Sequence, residues 1–218
     1  MNISKRLRAI GDLVSNNSFI LDVGCDHALL DIYVVKTKKN VKAIASDIND
    51  GPLKGAKYNI DKYNLSDRIS LKKANGLDSF ENGIDTVILS GLGSNTIISI
   101  IENGLDKIDS CKIIVSSNND YYYLRKSMFK FGYVPTFERV IKDKNKFYPI
   151  IVFEKGNSKY TKYEFKYGKY MNDPVYREYL ICNREKLFKI YSSLGIRYFY
   201  KKMCLKNEIR YLDRVISK

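Results

Sequence analysis

The sequence predicts an α/β protein: a seven-stranded, mostly parallel sheet followed by a basic helical hairpin. Three observations carry this reading. Short apolar, β-rich runs alternate with helical stretches through most of the 218 residues. Near residue 140 the alternation gives way to two β-rich runs in succession. From Lys155 onward apolar residues recur at helical spacing alone. The length suits one full domain with an appendage.

Residues 1–14 space their apolar side chains as a helix does and hold no continuous apolar segment, so a cleaved leader is not expected. Strand runs follow at Phe19–Val23, Val41–Asp47, Ile69–Lys73, Ile84–Ser90 and Lys112–Ser117. Such short apolar runs suit strands buried on both faces. Helical stretches at His27–Lys36, Gly51–Tyr63, Asn95–Asn103 and Tyr121–Phe131 separate them. This βαβ alternation makes the strands parallel. Tyr133–Ile141 and Phe147–Glu154 have only the polar Lys142–Lys146 between them, which predicts an antiparallel hairpin at the sheet edge. The first domain is expected to span residues 1–154. Beyond it, Tyr176, Leu180, Asn183, Leu187, Ile190 and Leu194 are spaced 4, 3, 4, 3 and 4, an a/d seam with one polar position. Gly195 interrupts the seam, and Leu205, Ile209, Leu212 and Ile216 resume the spacing. Residues 155–218 therefore read as a small antiparallel coiled-coil hairpin.

The formal charge is +14, and it is unevenly placed. Residues 155–218 hold 16 Lys and Arg against 6 Asp and Glu, or +10 of the total. A basic appendage on a nearly balanced body points to a polyanionic partner. A lysine-rich coding bias is the alternative, although it would raise lysine everywhere. The four cysteines are scattered, with no C-x-x-C pair, and there is one histidine. That pattern predicts no metal site, no disulfide framework and a reducing cytoplasm. No apolar run approaches the length of a membrane span, so no membrane partner is expected.

The first strand runs directly into Asp22-Val-Gly-Cys-Asp-His-Ala28 and a helix. A strand, a glycine turn and a helix N-terminus at a parallel sheet edge make a nucleoside site. Gly24 permits close approach of the backbone to a ligand. Asp22 and Asp26 would repel a pyrophosphate but suit a cationic amino-acid tail, which favours S-adenosylmethionine over a dinucleotide. A structural turn whose acids cap the helix is the rival reading. Asp47 ends the second strand, where an acid holds a ribose diol. Asn75-Gly76 follows the third strand and Ser90-Gly91-Leu92-Gly93 the fourth, all at the edge where open α/β sheets bind ligands.

The stretch Asp22-Val-Gly-Cys-Asp-His-Ala-Leu-Leu30 resembles the D-x-G-S-D-H-A-x-L motif of the bacterial tRNA (adenine-22-N1)-methyltransferases. Further segments match in order: Ile3 to Leu7, Asp50-Gly51-Pro52, Asn75-Gly76-Leu77, Ser90-Gly91-Leu92-Gly93-Ser94 and Ser117-Asn118. The resemblance covers roughly residues 3–155. Departures are Cys25 for the family serine, Asp31 for a proline, Asn75 for an acid and Ser94 for the last glycine. The resemblance implies a Rossmann-like class I methyltransferase with a C-terminal coiled coil, S-adenosylmethionine as donor and tRNA as substrate. The cofactor contacts are then Asp22, Gly24, Asp47, Ile48, Asn75, Gly76, Ser90 and Gly91.

Methylation of adenine N1 needs little acid–base apparatus, because that nitrogen already offers a lone pair; positioning dominates. Enzymes acting on an exocyclic amine carry [D/N]-P-P-[Y/F] after the fourth strand, and here that turn is Ser-Gly-Leu-Gly. Asp26, His27 and Asn118 are the candidate catalytic residues. Asp26 contacts the methionine end or orients the base; His27 caps a helix or touches substrate; Asn118 meets the base or serves only its loop. Tyr121-Tyr122-Tyr123 opens a helix beside the pocket, with at least one ring facing the core. Lys162, Lys166, Lys169, Lys201, Lys202, Lys206 and Arg210 are the candidate tRNA contacts, with a hairpin that only rigidifies the domain or mediates dimerisation as the alternative. A monomer is expected. The rival functions are methylation of rRNA or protein, and RNA binding without catalysis.

Overall fold

The computed structural model describes residues 3–218, and the chain divides into two compact units after Ser158. Met1 and Asn2, part of the expected opening helix, lie outside the described residues. The first unit contains α1 (Lys5–Gly11), β1 (Phe19–Val23), α2 (Leu29–Thr37), β2 (Lys42–Asp47), α3 (Asp50–Lys62), β3 (Ile69–Lys73), β4 (Thr86–Ser90), α4 (Ser94–Asn103), β5 (Lys112–Ser116), α5 (Tyr121–Lys130), β6 (Tyr133–Asp143) and β7 (Lys146–Lys155). One seven-stranded sheet has the order β3-β2-β1-β4-β5-β7-β6. Strands β1 to β5 pair in parallel, while β7 runs antiparallel to β5 and β6.

Successive strand residues point to opposite faces, and both faces are covered. Leu21, Val23, Val87, Leu89, Ile113 and Val115 join the core that α4 and α5 close through Ile97, Ile101, Leu124 and Met128. The intervening Ile20, Ala43, Ala45, Ile88 and Ile114 join the opposite core, closed by Ile10 of α1, Ile32 and Val34 of α2, and Ala56 and Ile60 of α3. This double burial is why the strands read as unbroken apolar runs. Fully burying each Val, Leu, Ile or Met among them contributes roughly 1.5–3 kcal/mol. The β6–β7 hairpin turns on Lys144 and Asn145, both at positive φ, the geometry whose twist matches its strands. Its turn is therefore tighter than the Lys142–Lys146 segment expected from polarity.

Strand β1 lies between β2 and β4. Chain crossovers diverge to opposite faces there, which opens a crevice at the carboxyl edge.

The second unit contains α6 (Lys162–Tyr167), α7 (Pro174–Ser193) and α8 (Phe199–Ile216). The expectation of continuous helix from residue 155 is corrected, because residues 156–161 and 168–173 are not helical. Local chemistry accounts for the breaks. Thr161 and Glu164 form a capping box, Gly168 leaves α6 at φ +85°, and Asp173 caps α7 with Pro174 in its first turn. The coiled-coil seam is likewise shorter than expected. Tyr176, Leu180, Ile209 and Leu212 are buried, but Ile190 is 44% exposed, so the seam opens toward Gly195. Arg184 Nε meets Asp213 Oδ1 at 3.0 Å, and the Tyr163 and Tyr211 rings stack with centroids 4.7 Å apart. Among the described residues no helix is long and apolar enough to cross a membrane.

Candidate active site

The crevice at the carboxyl ends of β1, β2 and β4 is a cavity of about 300 Å³. Seven of the expected site residues line it together: Asp22, Gly24, Asp26, His27, Asp47, Ser90 and Gly91. The turn after β1 is held by backbone bonds, since the Gly24 and Cys25 N–H groups both donate to the Ser46 carbonyl, at 2.9 and 3.0 Å. Gly24 has φ +78°, a value that a Cβ disfavours. Asp26 and Ala28 take left-handed conformations at φ +51° and +53°, strain that a functional turn tolerates. Ala28 is the N-cap of α2, with no side-chain capping bond, so neither Asp26 nor His27 caps that helix. The helix starts at Leu29, later than its apolar pattern suggests, because this turn occupies residues 24–28.

Three carboxyls face the cavity, and a fourth lies behind them. Asp22 is 3% exposed and Asp31 is fully buried in the first turn of α2. Apart from the Asp22 carboxyl beside it, no side chain partners the Asp31 carboxyl oxygens. Burial, followed by the Asp31 charge, holds Asp22 well above the usual carboxyl range, and burial raises Asp31 to about 7. Burial and the same acids push the Cys25 thiol up, so Cys25 is a neutral packing group and no nucleophile. Asp47 accepts the Asn49 N–H at 2.9 Å, which aims its carboxylate along the strand tip. Ile48 follows it, 57% exposed. A cationic ligand with a vicinal diol fits this acid-rich lining, and S-adenosylmethionine has both features.

Asp26 and His27 are exposed at the rim, with His27 Nε2 3.6 Å from Asp26 Oδ1. The imidazole rests on α3 at Gly55, where a Cβ would lie 2.3 Å from Nδ1. Asn59 Nδ2 also donates to the His27 carbonyl at 3.0 Å. Asn118 is absent from the cavity lining. Its Nδ2 donates to the Gly91 carbonyl at 2.5 Å and its N–H to the Leu92 carbonyl at 2.9 Å, which fixes the loop after β4. Ser94, one of the departures from the family pattern, is buried and ties the same loops together: its hydroxyl lies 2.9 Å from Ser117 Oγ and its N–H donates to Asn119 Oδ1 at 2.9 Å. Asn75 and Gly76 are absent from the lining of the acidic crevice and line a neighbouring cavity of about 560 Å³ beside α4. Tyr121 donates to the Ser117 and Pro149 carbonyls, whereas Tyr123 is 45% exposed.

Sequence reasoning missed Arg6 and Leu7 in the cavity lining, and Gly55 beneath His27. The matched segment Ile3 to Leu7 was the available signal for Arg6, whose guanidinium lies over the Tyr148 ring at 5.1 Å.

In the second unit, Lys162, Lys201, Lys206 and Arg210 are exposed, and Lys169 is exposed with its ammonium over the Tyr160 ring at 4.9 Å. Lys166 departs from the expected phosphate role. Both Glu208 oxygens lie 2.7 Å from its ammonium, and Glu208 is buried and also accepts from Tyr167. Lys202 is half-buried, donating to the Leu194 carbonyl at 3.1 Å. No group of three or more His, Cys, Asp or Glu side chains is arranged to hold a metal among the described residues.

Sheet order, acidic crevice and glycine turn together define a Rossmann-like methyltransferase. A methyltransferase-domain family profile accordingly matches residues 3–151. The tRNA (adenine(22)-N(1))-methyltransferase of Bacillus subtilis is 31% identical over 159 residues, 72% of this chain and 67% of that protein. A Streptococcus pneumoniae protein solved with S-adenosyl-L-methionine superposes with a TM-score of 0.88 at 29% identity, covering 99% of this chain and all of that one. The M. capricolum TrmK structure with S-adenosyl-homocysteine gives 0.84 at 29% identity, covering 99% and 98%. The chain belongs to the tRNA (adenine(22)-N(1))-methyltransferase family.

Proposed function

We infer that the chain transfers the methyl group of S-adenosylmethionine to N1 of adenine 22 in tRNA. The observation that carries this is the acidic crevice at the β1/β4 switch point, in a chain that aligns with the Bacillus subtilis enzyme over 159 residues. The bound sulfonium supplies an electrophilic methyl group. Asp47 holds the ribose hydroxyls and Ile48 covers one face of the adenine ring. Asn75 and Gly76 border its edge. Asp22 receives the methionine ammonium, and Gly24, Ser90 and Gly91 give the backbone room to approach.

Asp26, His27 and Asn118 serve the target base. Adenine N1 attacks with its own lone pair, so no side chain has to remove a proton first. The positive charge moves from the sulfonium to the methylated ring, and the Asp26 carboxylate at the rim favours that charge as it forms. Asn118 acts by holding the Gly91 carbonyl and with it the loop that borders the methyl group. Lys162, Lys169, Lys201, Lys206 and Arg210 meet tRNA phosphates.

Substrate class is tested by incubating the protein with methyl-labelled S-adenosylmethionine and, separately, unmodified total tRNA, rRNA and a protein extract. Label in tRNA alone is expected. Label in rRNA or protein instead would replace this reading with one of the rival methyltransferases.

A further inference from the structure

The most exposed apolar side chains of the second unit cluster where α7 meets α8. Ile196 is 89% exposed, Tyr200 75%, Phe199 72% and Tyr198 57%. Around them the charge has one sign: residues 186–207 contain Lys186, Lys189, Arg197, Lys201, Lys202 and Lys206, and no Asp or Glu. Ionic pairing consumes cations elsewhere in the unit, as Glu208 does with Lys166 and Asp213 with Arg184. Beside the rings lies an open groove of about 630 Å³, bordered by Tyr191, Phe199, Met203, Lys206 and Arg210. Lys202 stands on its floor with its ammonium 5.0 Å from the Tyr191 ring centroid.

Exposed rings among unopposed cations match one kind of occupant. Single-stranded nucleic acid is bound by aromatic faces that stack on bases and by cations that follow the phosphates. Duplex RNA buries its base faces and offers only backbone and groove edges. Two copies of this tip would bring like charges together, which disfavours self-association.

We propose that the hairpin tip is a base-stacking anchor for unpaired nucleotides of the RNA substrate, with Tyr198, Phe199 and Tyr200 stacking on bases while Arg197, Lys201 and Lys206 meet phosphates. The proposal rests on the RNA-substrate reading and adds a contact by which loops are distinguished from stems.

The full chain contains no tryptophan, so Phe199→Trp and Tyr200→Trp each introduce a single fluorescent reporter. The probes are a short single-stranded RNA, the blunt duplex of the same strand, and phosphatidylserine-containing vesicles. Single-stranded RNA is expected to quench the indole emission, and duplex is not. The double variant Phe199→Ala/Tyr200→Ala is expected to bind single-stranded RNA about 5- to 100-fold more weakly. The slope of log affinity against log salt stays unchanged in that variant, because no cation is removed. Both side chains are largely exposed, so circular dichroism should report an intact fold.

Equal quenching by duplex, undiminished affinity of the double variant, a blue shift on vesicles without response to RNA, or emission that depends on protein concentration alone would each overturn the proposal. Methyl transfer by the unaltered chain is scored separately. Transfer to tRNA without quenching overturns the tip alone. Quenching by single strands without transfer to any tRNA overturns the substrate reading and leaves the tip standing.

Discussion

Asp22 and Asp31 place two carboxyls in a nearly dry interior below the cofactor turn, and their protonation links the site to stability. Asp31 is raised to about 7, so it is protonated at little cost in acid and must ionise unfavourably as pH rises toward neutrality. A raised native value means stability present below the unfolded value near 4 and lost as pH climbs through the native one. Asp22 is raised by the same burial and by Asp31, so the pair acts together: between pH 5 and 8 the thermal midpoint should fall, and Asp31→Asn, which removes one member, should reduce that fall; an unchanged slope in thermal melts would remove Asp31 from its source. Asp47 answers to a different measurement. Losing its charge-assisted hydrogen bonds in Asp47→Ala should weaken cofactor binding by about 10- to 150-fold in calorimetry, and wild-type affinity would withdraw the ribose assignment. Asp22, Gly24 and Asp47 were legible from sequence because strand ends are legible and the ligand edge follows from them. The coupling of Asp31 to Asp22 was not, because Asp31 appears in the sequence only as a departure from a family proline. Its consequence depends on how deeply α2 is buried.

Elements explain the rim. Helix α3 holds His27 through Gly55, a glycine that sits inside a helix for want of space and not for a positive φ. Gly55→Ala should gain helix propensity of roughly 1 kcal/mol while forcing the imidazole off its seat. The expected result is an unchanged or slightly higher melting temperature with a lower kcat; full activity would mean that His27 is structural. The loops after β4 and β5 form a second such pair, joined by Asn118, Ser94 and Ser117. Asn118→Ala loses one hydrogen bond of about 1 kcal/mol, so single-turnover methylation should slow about fivefold or more while cofactor affinity stays nearly constant. Equal losses in both would place Asn118 with the cofactor instead. The strands were legible to within two residues, since burial on both faces makes β1, β2, β4 and β5 apolar runs. Among the starts of the helices between strands α2 was the least legible, because there the binding turn outcompetes apolar periodicity for residues 27 and 28.

At the scale of the whole molecule, chemistry and charge divide between two units: an acidic crevice in the first, and +9 of the net charge in the second, Lys159 to Lys218. In the sequence the change of rhythm after the sheet suggests a boundary at Glu154, whereas the two compact units divide after Ser158. Heptad spacing, however, describes a seam only where both helices remain in contact, and exposed Ile190 shows the limit of that inference. A chain ending at Ser158 should retain cofactor binding but lose most tRNA affinity, and with it most of the dependence of that affinity on salt. Unaltered tRNA affinity and salt slope in the shortened chain would move the RNA surface to the first unit. The central claim is that the acidic crevice delivers a methyl group to a ring nitrogen of one tRNA adenine. It is tested most directly by incubating the full chain with S-adenosylmethionine and an unmodified tRNA transcript, then mapping the methylated nucleoside by mass spectrometry. 1-Methyladenosine at position 22 is expected; a methyl group on the exocyclic amine, or at any other nucleotide, would contradict the claim.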